Sequence, residues 1–149
     1  MNNPIQIARI SNTSNFPIVD FNSLLDEGKV WDSEQGKRFI ENDDNALFIA
    51  FFEGKVSGFL TAHRLQRFDK RKAEVLIYEI GVHPNYRRRG IGKALIEEVK
   101  KWAKEVGADN AWVLTGKDNE AAMAMYKSAG GIEEAPGTIM WTYKFARKN

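Results

Sequence analysis

Hydrophobic positions recur along this chain with two periods, and the alternation between them outlines its elements. Ile5, Ile7 and Ile10 mark a short opening strand. Ser14-Asn15-Phe16-Pro17 supplies a helix start, with Asn15 as N-cap and Pro17 at an early helical position. Ile18, Phe21, Leu24 and Leu25 then recur at helical spacing as far as Gly28. A second helix is predicted from Ser33 to about Asn42, with Phe39 and Ile40 facing inward, and it runs into the acidic loop Glu41-Asn42-Asp43-Asp44-Asn45. Ala46 to Phe52 is one continuous apolar run, which fits a strand buried on both faces. Glu53-Gly54-Lys55 is a tight hairpin turn into a partner strand, Val56 to Leu65. A charged loop, Arg67 to Lys72, leads to a third long strand, Ala73 to Val82. Hairpin-linked strands of this kind predict a central antiparallel meander.

The second half of the chain reads differently. Ile91, Leu95, Val99, Trp102, Ala103 and Val106 form one apolar stripe, closed by Gly107 as a natural C-cap. Ala111 to Thr115 is a short strand. With the preceding strand and helix it makes a β-α-β crossover, so the two strands should run parallel. A last helix is predicted from Asn119 to Ala129, stopping at Gly130-Gly131. Two final strands, around Ile132–Ala135 and Thr138–Phe145, are expected to close the chain across Pro136-Gly137. No repeat or linker interrupts residues 1–149, so one domain is expected.

Composition narrows the function classes. Lys and Arg number 22 against 20 Asp and Glu, a net charge of +2 that gives no general call for nucleic acid. There is no cysteine, hence no disulfide, no thiol nucleophile and no Cys-ligated zinc. His63 and His83 are isolated, and no metal is expected. No apolar run approaches the roughly 18 residues of a membrane span, and the N-terminus lacks a signal-peptide core. A soluble cytoplasmic protein, without membrane partners, is the expectation.

Chemistry concentrates at Tyr78 to Leu95: an apolar strand, a basic glycine-punctuated turn, and the start of the long helix. A helix N-terminus offers unpaired N–H groups and the positive end of its dipole, and glycines let an anion approach closely. The turn lacks the third glycine of a dinucleotide fingerprint and the leading glycine of a Walker loop. It reads Arg-x-x-Gly-x-Gly, filled by Arg87, Gly90 and Gly92, with Arg88, Arg89, Ile91 and Lys93 between and beside them. A solvated basic loop is the competing reading of those residues alone. Gly81 interrupts the strand just before the turn, a mark of a bulge or of close backbone approach. Glu79 stands in the otherwise apolar Ile77-Tyr78-Glu79-Ile80-Gly81-Val82, where a charge without a role is costly. A second pattern, Asn119-x-x-Ala122-x-x-x-Tyr126, lies about 30 residues downstream of the turn.

These two patterns, in this order and on these elements, resemble the GNAT superfamily of N-acetyltransferases. The resemblance implies an α/β fold: a central mixed, mostly antiparallel sheet of six to seven strands with a splayed parallel pair, flanked by about four helices. It implies acetyl-CoA as co-substrate, its pyrophosphate on the turn from Arg87 to Lys93 and its pantetheine arm along Ile80, Gly81 and Val82. Asn119 and Ala122 belong to the cofactor side. Tyr126 would protonate the departing thiolate, a role open to a phenol of pKa about 10; core packing beside Met123 and Met125 is the competing reading. Glu79 would take the proton of an incoming amine, against the alternative of a glutamate on a wet strand face.

Within the superfamily, Ile77 to Val82, Arg87 to Ile96, Gly107-Ala108 and the stretch from Tyr126 to Glu134 resemble aminoglycoside 3-N-acetyltransferases. Those enzymes carry aspartate at the Glu79 position, and Gly131 and Ala135-Pro136-Gly137 also depart from them. A polycationic acceptor calls for acidic walls, for which Asp43, Asp44, Asp118, Glu120, Glu133 and Glu134 are candidates beside Glu79. A polyamine, another small amine, a protein amine, or CoA binding without catalysis are the alternatives. Nucleic-acid binding through Arg87-Arg88-Arg89 lacks the stacking aromatics it would need. Superfamily members are often dimers, and Trp112, Trp141 or the final strands would serve a homodimer contact.

Overall fold

The computed structural model describes residues 2–146. Five strands form one sheet in the order β1-β2-β3-β4-β5: β1 Ile5–Arg9, β2 Asn45–Phe52, β3 Lys55–Leu65, β4 Ala73–Val82 and β5 Ala108–Val113. The first four pair antiparallel, and β5 joins β4 in parallel, as the crossover pattern requires. Four helices flank them: α1 Ile18–Asn22, α2 Ser33–Glu41, α3 Ile91–Glu105 and α4 Glu120–Ser128. A short 3-10 turn, Pro84–Tyr86, separates β4 from α3.

The apolar run of β2 is buried on both faces because the sheet carries a core on each side. On one, Phe48, Ala50, Leu60, Ala62, Val75 and Ile77 meet the α3 stripe of Ile91, Leu95, Val99 and Trp102. On the other, Leu47, Ile49 and Phe59 meet Phe21, with Trp31, Phe39 and Ile40 around them. The hairpin turn places Glu53 at φ 49° and Gly54 at φ 83°, the double left-handed geometry of a two-residue hairpin.

Two expectations, the cap of α1 and the final strands, need correction. Asn15 does not cap α1: it sits at φ 59°, and the helix starts later, behind Pro17, without a side-chain cap. α2 is capped by Asp32, whose carboxylate accepts from Gln35 N at 2.9 Å. The two final strands are absent, so the sheet has five strands among the described residues rather than six or seven. Residues 131–146 are exposed and carry only a turn, in which Thr138 N donates to Ala135 O at 3.2 Å.

Candidate functional site

The register of β4 sets the geometry. Ile77 pairs with Ala62 and Glu79 with Thr61, so Tyr78 is the extra residue of a β-bulge. On the other side, the parallel pairing with β5 ends at Ile77 and Val113. The bulge and the end of pairing therefore coincide, and β4 runs on from Tyr78 to Val82 with no strand on that edge among the described residues. The bulge expected at Gly81 lies three residues earlier. Gly81 answers to close approach instead: a Cβ there would stand 2.7 Å from the Phe59 ring.

The bulge also resets which residues face which core. Val75 and Ile77 point to the α3 side before it, and Ile80 and Val82 do so after it. Glu79 falls on the opposite face, opposite Thr61 and diagonal to His63. The Thr61 Oγ1 atom is buried and has no hydrogen-bond partner among the described residues. His63 Nδ1 lies 2.8 Å from Asn45 Oδ1, while Asn45 Nδ2 donates to the Phe39 carbonyl at 3.2 Å. With the amide so oriented, its oxygen must accept, so His63 carries its proton on Nδ1 and keeps a lone pair on Nε2. Burial lowers the His63 pKa, and the Glu79 carboxylate partly opposes that shift. The ring packs edge-on between Phe39 and Tyr78, at 5.4 and 5.6 Å between centroids.

At its end, β4 is tied down by His83 N, which donates to Ser57 O at 2.8 Å; Ser57 is itself a bulged residue of β3 whose hydroxyl donates to Ala50 O. The chain then turns through Arg87, Arg88 at φ 62°, and Arg89, whose guanidinium stacks 4.9 Å over the Phe52 ring. None of the ion pairs among the described residues engages these three arginines. Gly90 caps α3 at φ 82° with open space beside its Cα and no side-chain cap on the helix. The N–H groups of the first turn, from Ile91 to Lys93, thus have no carbonyl partner within the helix and follow directly on a cationic loop. Gly92 has another reason to be glycine: a Cβ there would collide with Met125 Sδ, which brings α4 against the first turn of α3.

That contact places the second pattern beside the first. Asn119 caps α4, its side chain accepting from Ala122 N at 3.1 Å, so its carboxamide oxygen is committed to ordering the helix start. Tyr126, next to Met125, is half-buried, and burial raises its pKa. Its hydroxyl therefore stays protonated at neutral pH.

The acidic candidates are scattered. Asp43 and Asp44 form an exposed turn next to Asn45, at the rim of the face that holds His63, and Asp44 already pairs with Arg64 at 3.5 Å. Asp118 and Glu120 are exposed at the entry to α4, while Glu133 and Glu134 lie in the exposed stretch after it. Among the described residues, no group of three or more His, Asp or Glu is arranged to hold a metal ion, and no helix is long and apolar enough to cross a membrane. A surface hollow of about 490 Å³ lined by Arg64 and residues 66–71 sits beside the start of β4, and Arg64 links it to Asp44. Sequence reasoning missed His63, Thr61 and Asn45. The signal for them was the alternation of β3, which puts Thr61 and His63 on one face.

The sequence model described as the acetyltransferase (GNAT) family matches residues 14–130. An uncharacterized N-acetyltransferase of Methanocaldococcus jannaschii is 30% identical over 116 residues, 76% of this chain and 51% of that protein. The ribosomal protein bS18 alanine N-acetyltransferase of Escherichia coli is 28% identical over 102 residues, 68% of this chain and 61% of that protein. The chain thus spans about half to three-fifths of the length of these curated relatives. An aminoglycoside acetyltransferase from an uncultured soil metagenomic sample, solved with trehalose and with sisomicin, superposes with a TM-score of 0.78. It is 26% and 25% identical in the two structures, which cover 95% of this chain and 97% of that one.

Proposed function

The chain belongs to the acetyltransferase (GNAT) family, and on that premise we propose that it transfers acetyl from acetyl-CoA to a primary amine by direct attack, in the cytoplasm, with an aminoglycoside as the favoured acceptor. One observation carries the reading: β4 loses its β5 partner at the point where it leads into a glycine-capped, arginine-lined helix N-terminus. An extended, amide-bearing arm can add to the free edge from Tyr78 to Val82, while a pyrophosphate lies over Arg87 to Lys93. Acetyl-CoA, when bound, supplies the acetyl thioester. A β4 backbone N–H near Val82 polarises the carbonyl. Glu79 draws in the ammonium form of the acceptor and takes its proton, directly or through water. The neutral amine then forms the new C–N bond as the C–S bond breaks. The Tyr126 hydroxyl protonates the leaving thiolate. His63, neutral with Nε2 free, is the next station for the proton held at Glu79.

The aminoglycoside acceptor is supported by the metagenomic neighbour, 97% of whose chain is covered, and by the carboxylate at Glu79; the 3-amino group is the proposed position. An α-amine on a protein is the second reading, favoured by the likeness to the bS18 alanine acetyltransferase. Thiol release from acetyl-CoA in the presence of gentamicin-like sugars, spermidine and peptides with a free N-terminal alanine separates them. Turnover on the sugars with acetylation at the 3-amino nitrogen is expected. Turnover on peptides alone would overturn the acceptor, and none on any amine would overturn catalysis.

A further inference from the structure

Given the acetyl-CoA reading of the α3 terminus, we propose that His83 is a positioning residue for that site. Its ring holds the short turn Pro84–Tyr86 in the shape that delivers Arg87 and Gly90 to the start of α3. Nothing in the chemistry of Glu79 and Tyr126 uses this histidine.

The backbone donors show what the turn is for. Pro84 has no N–H. Asn85 N donates to His83 Nδ1 at 3.1 Å, Tyr86 N to the His83 carbonyl at 2.8 Å, and Arg87 N to the Pro84 carbonyl at 3.5 Å. Every backbone donor from Asn85 to Arg87 is thus taken up inside the turn. An anion finds free N–H groups only further on, at the first turn of α3. The turn therefore contributes direction, and His83 sets it. His83 N closes β4 by donating to Ser57 O at 2.8 Å, while its carbonyl and ring nitrogen both accept from the turn. Because Nδ1 accepts, the ring proton lies on Nε2. A side chain that accepts from the N–H two residues on is the arrangement of an Asx turn, here made by an imidazole.

The same ring begins a line of contacts that reaches the far side of the arginine loop. His83 meets Tyr86 edge-on at 5.8 Å between centroids, and Tyr86 meets Phe52 of β2 at 5.7 Å. The Arg89 guanidinium lies 4.9 Å over the Phe52 ring. Tyr86 and Phe52 pack in turn on the α3 core. Arg87 to Gly90 are exposed, and Arg88 is held at φ 62°. This loop is fastened at both ends, by the His83 cap before it and by Arg89 on Phe52 after it. A loop shaped in advance loses less freedom when its ligand arrives, and binds more tightly for that reason.

Two substitutions at one position test the cap. His83→Leu removes the acceptor and keeps an apolar side chain, whereas His83→Asn restores an acceptor at the same spacing. With CoA titrated by calorimetry, His83→Leu should weaken binding about fivefold, the size of one lost side-chain cap. His83→Asn should recover most of that loss. In thiol release the KM for acetyl-CoA should rise in His83→Leu while kcat at saturation holds. Phe52→Leu should weaken CoA binding as well, and its combination with His83→Leu should fall short of the product of the two effects, because both loosen one body. Equal CoA affinity in native protein and His83→Leu, a loss that asparagine does not restore, or a fall in kcat with KM unmoved would overturn the proposal. Fully multiplicative losses in the double variant would overturn it equally. A native protein that binds no CoA would overturn the acetyl-CoA reading itself, and the role of His83 with it.

Discussion

The two ends of the candidate site are made of different materials. From Ile80 to Lys93 the proposed donor end is largely main chain: a strand edge, a left-handed Gly90 and the unpaired N–H groups of α3, with arginines around them. The proposed acceptor face is side chain: Glu79 across from Thr61, with His63 beside it and Asn45 fixing the tautomer. A main-chain site depends on φ angles and on what packs behind the chain. A side-chain site depends on protonation. Substitutions should therefore separate the two ends by which kinetic constant they move.

The sharpest separation is expected from Glu79→Gln, which keeps the shape and removes the base. Turnover should fall by about 10²-fold or more, the range of positioned proton transfer. CoA binding measured by calorimetry should stay the same. Unchanged turnover with the best amine would remove Glu79 from the mechanism. Tyr126→Phe blurs the comparison, because its proposed role, protonating the thiolate, lies at the donor end. Its ring packs against the α3 core and would be kept, so kcat should drop by roughly tenfold to a hundredfold. The KM for acetyl-CoA should barely move. A matching rise in KM would instead point to a packing role.

Gly90→Ala probes the main-chain end. A Cβ meets nothing there, so the cost comes from the φ of 82° alone, about 1–2 kcal/mol for an L-residue. If the turn relaxes rather than bearing that strain, CoA affinity should fall about tenfold with kcat nearly intact. Intact affinity together with a lowered Tm would show that the turn holds its shape and that the anion does not rely on it.

What the sequence made legible follows the same division. The donor end was readable because glycines and arginines at fixed spacing state a backbone requirement, and the stripe of α3 fixes where its N-terminus lies. Gly92 and Gly81 also leave room for a side chain, Met125 and Phe59, that only the folded chain brings there. The bulge at Tyr78 was misplaced because a register shift is a property of two strands and leaves no glycine as its mark. That shift alone decides that Glu79 and His63 share a face. The final strands have the correct alternation, but pairing needs a partner edge, and the chain's own tail does not reach one.

His63 offers the smallest effect and the finest test of the acceptor face. Burial lowers its pKa, while the carboxylate of Glu79 raises it in part. Tyr78 and Phe39 pack on the ring without charge, and Asn45 holds Nδ1. An unfolded histidine titrates near 6.5. Between that value and the lower folded one, the unfolded chain holds the extra proton. Stability from this group is thus complete above about 6.5 and is lost as pH falls through the folded pKa. His63→Gln should flatten this part of the denaturation-versus-pH curve. In Glu79→Gln the opposing charge is gone, so an NMR titration should find His63 shifted lower still. A His63 titration that ignores Glu79→Gln would mean that the two groups are not neighbours in the working site, and the proton path from Glu79 to His63 would fall with it.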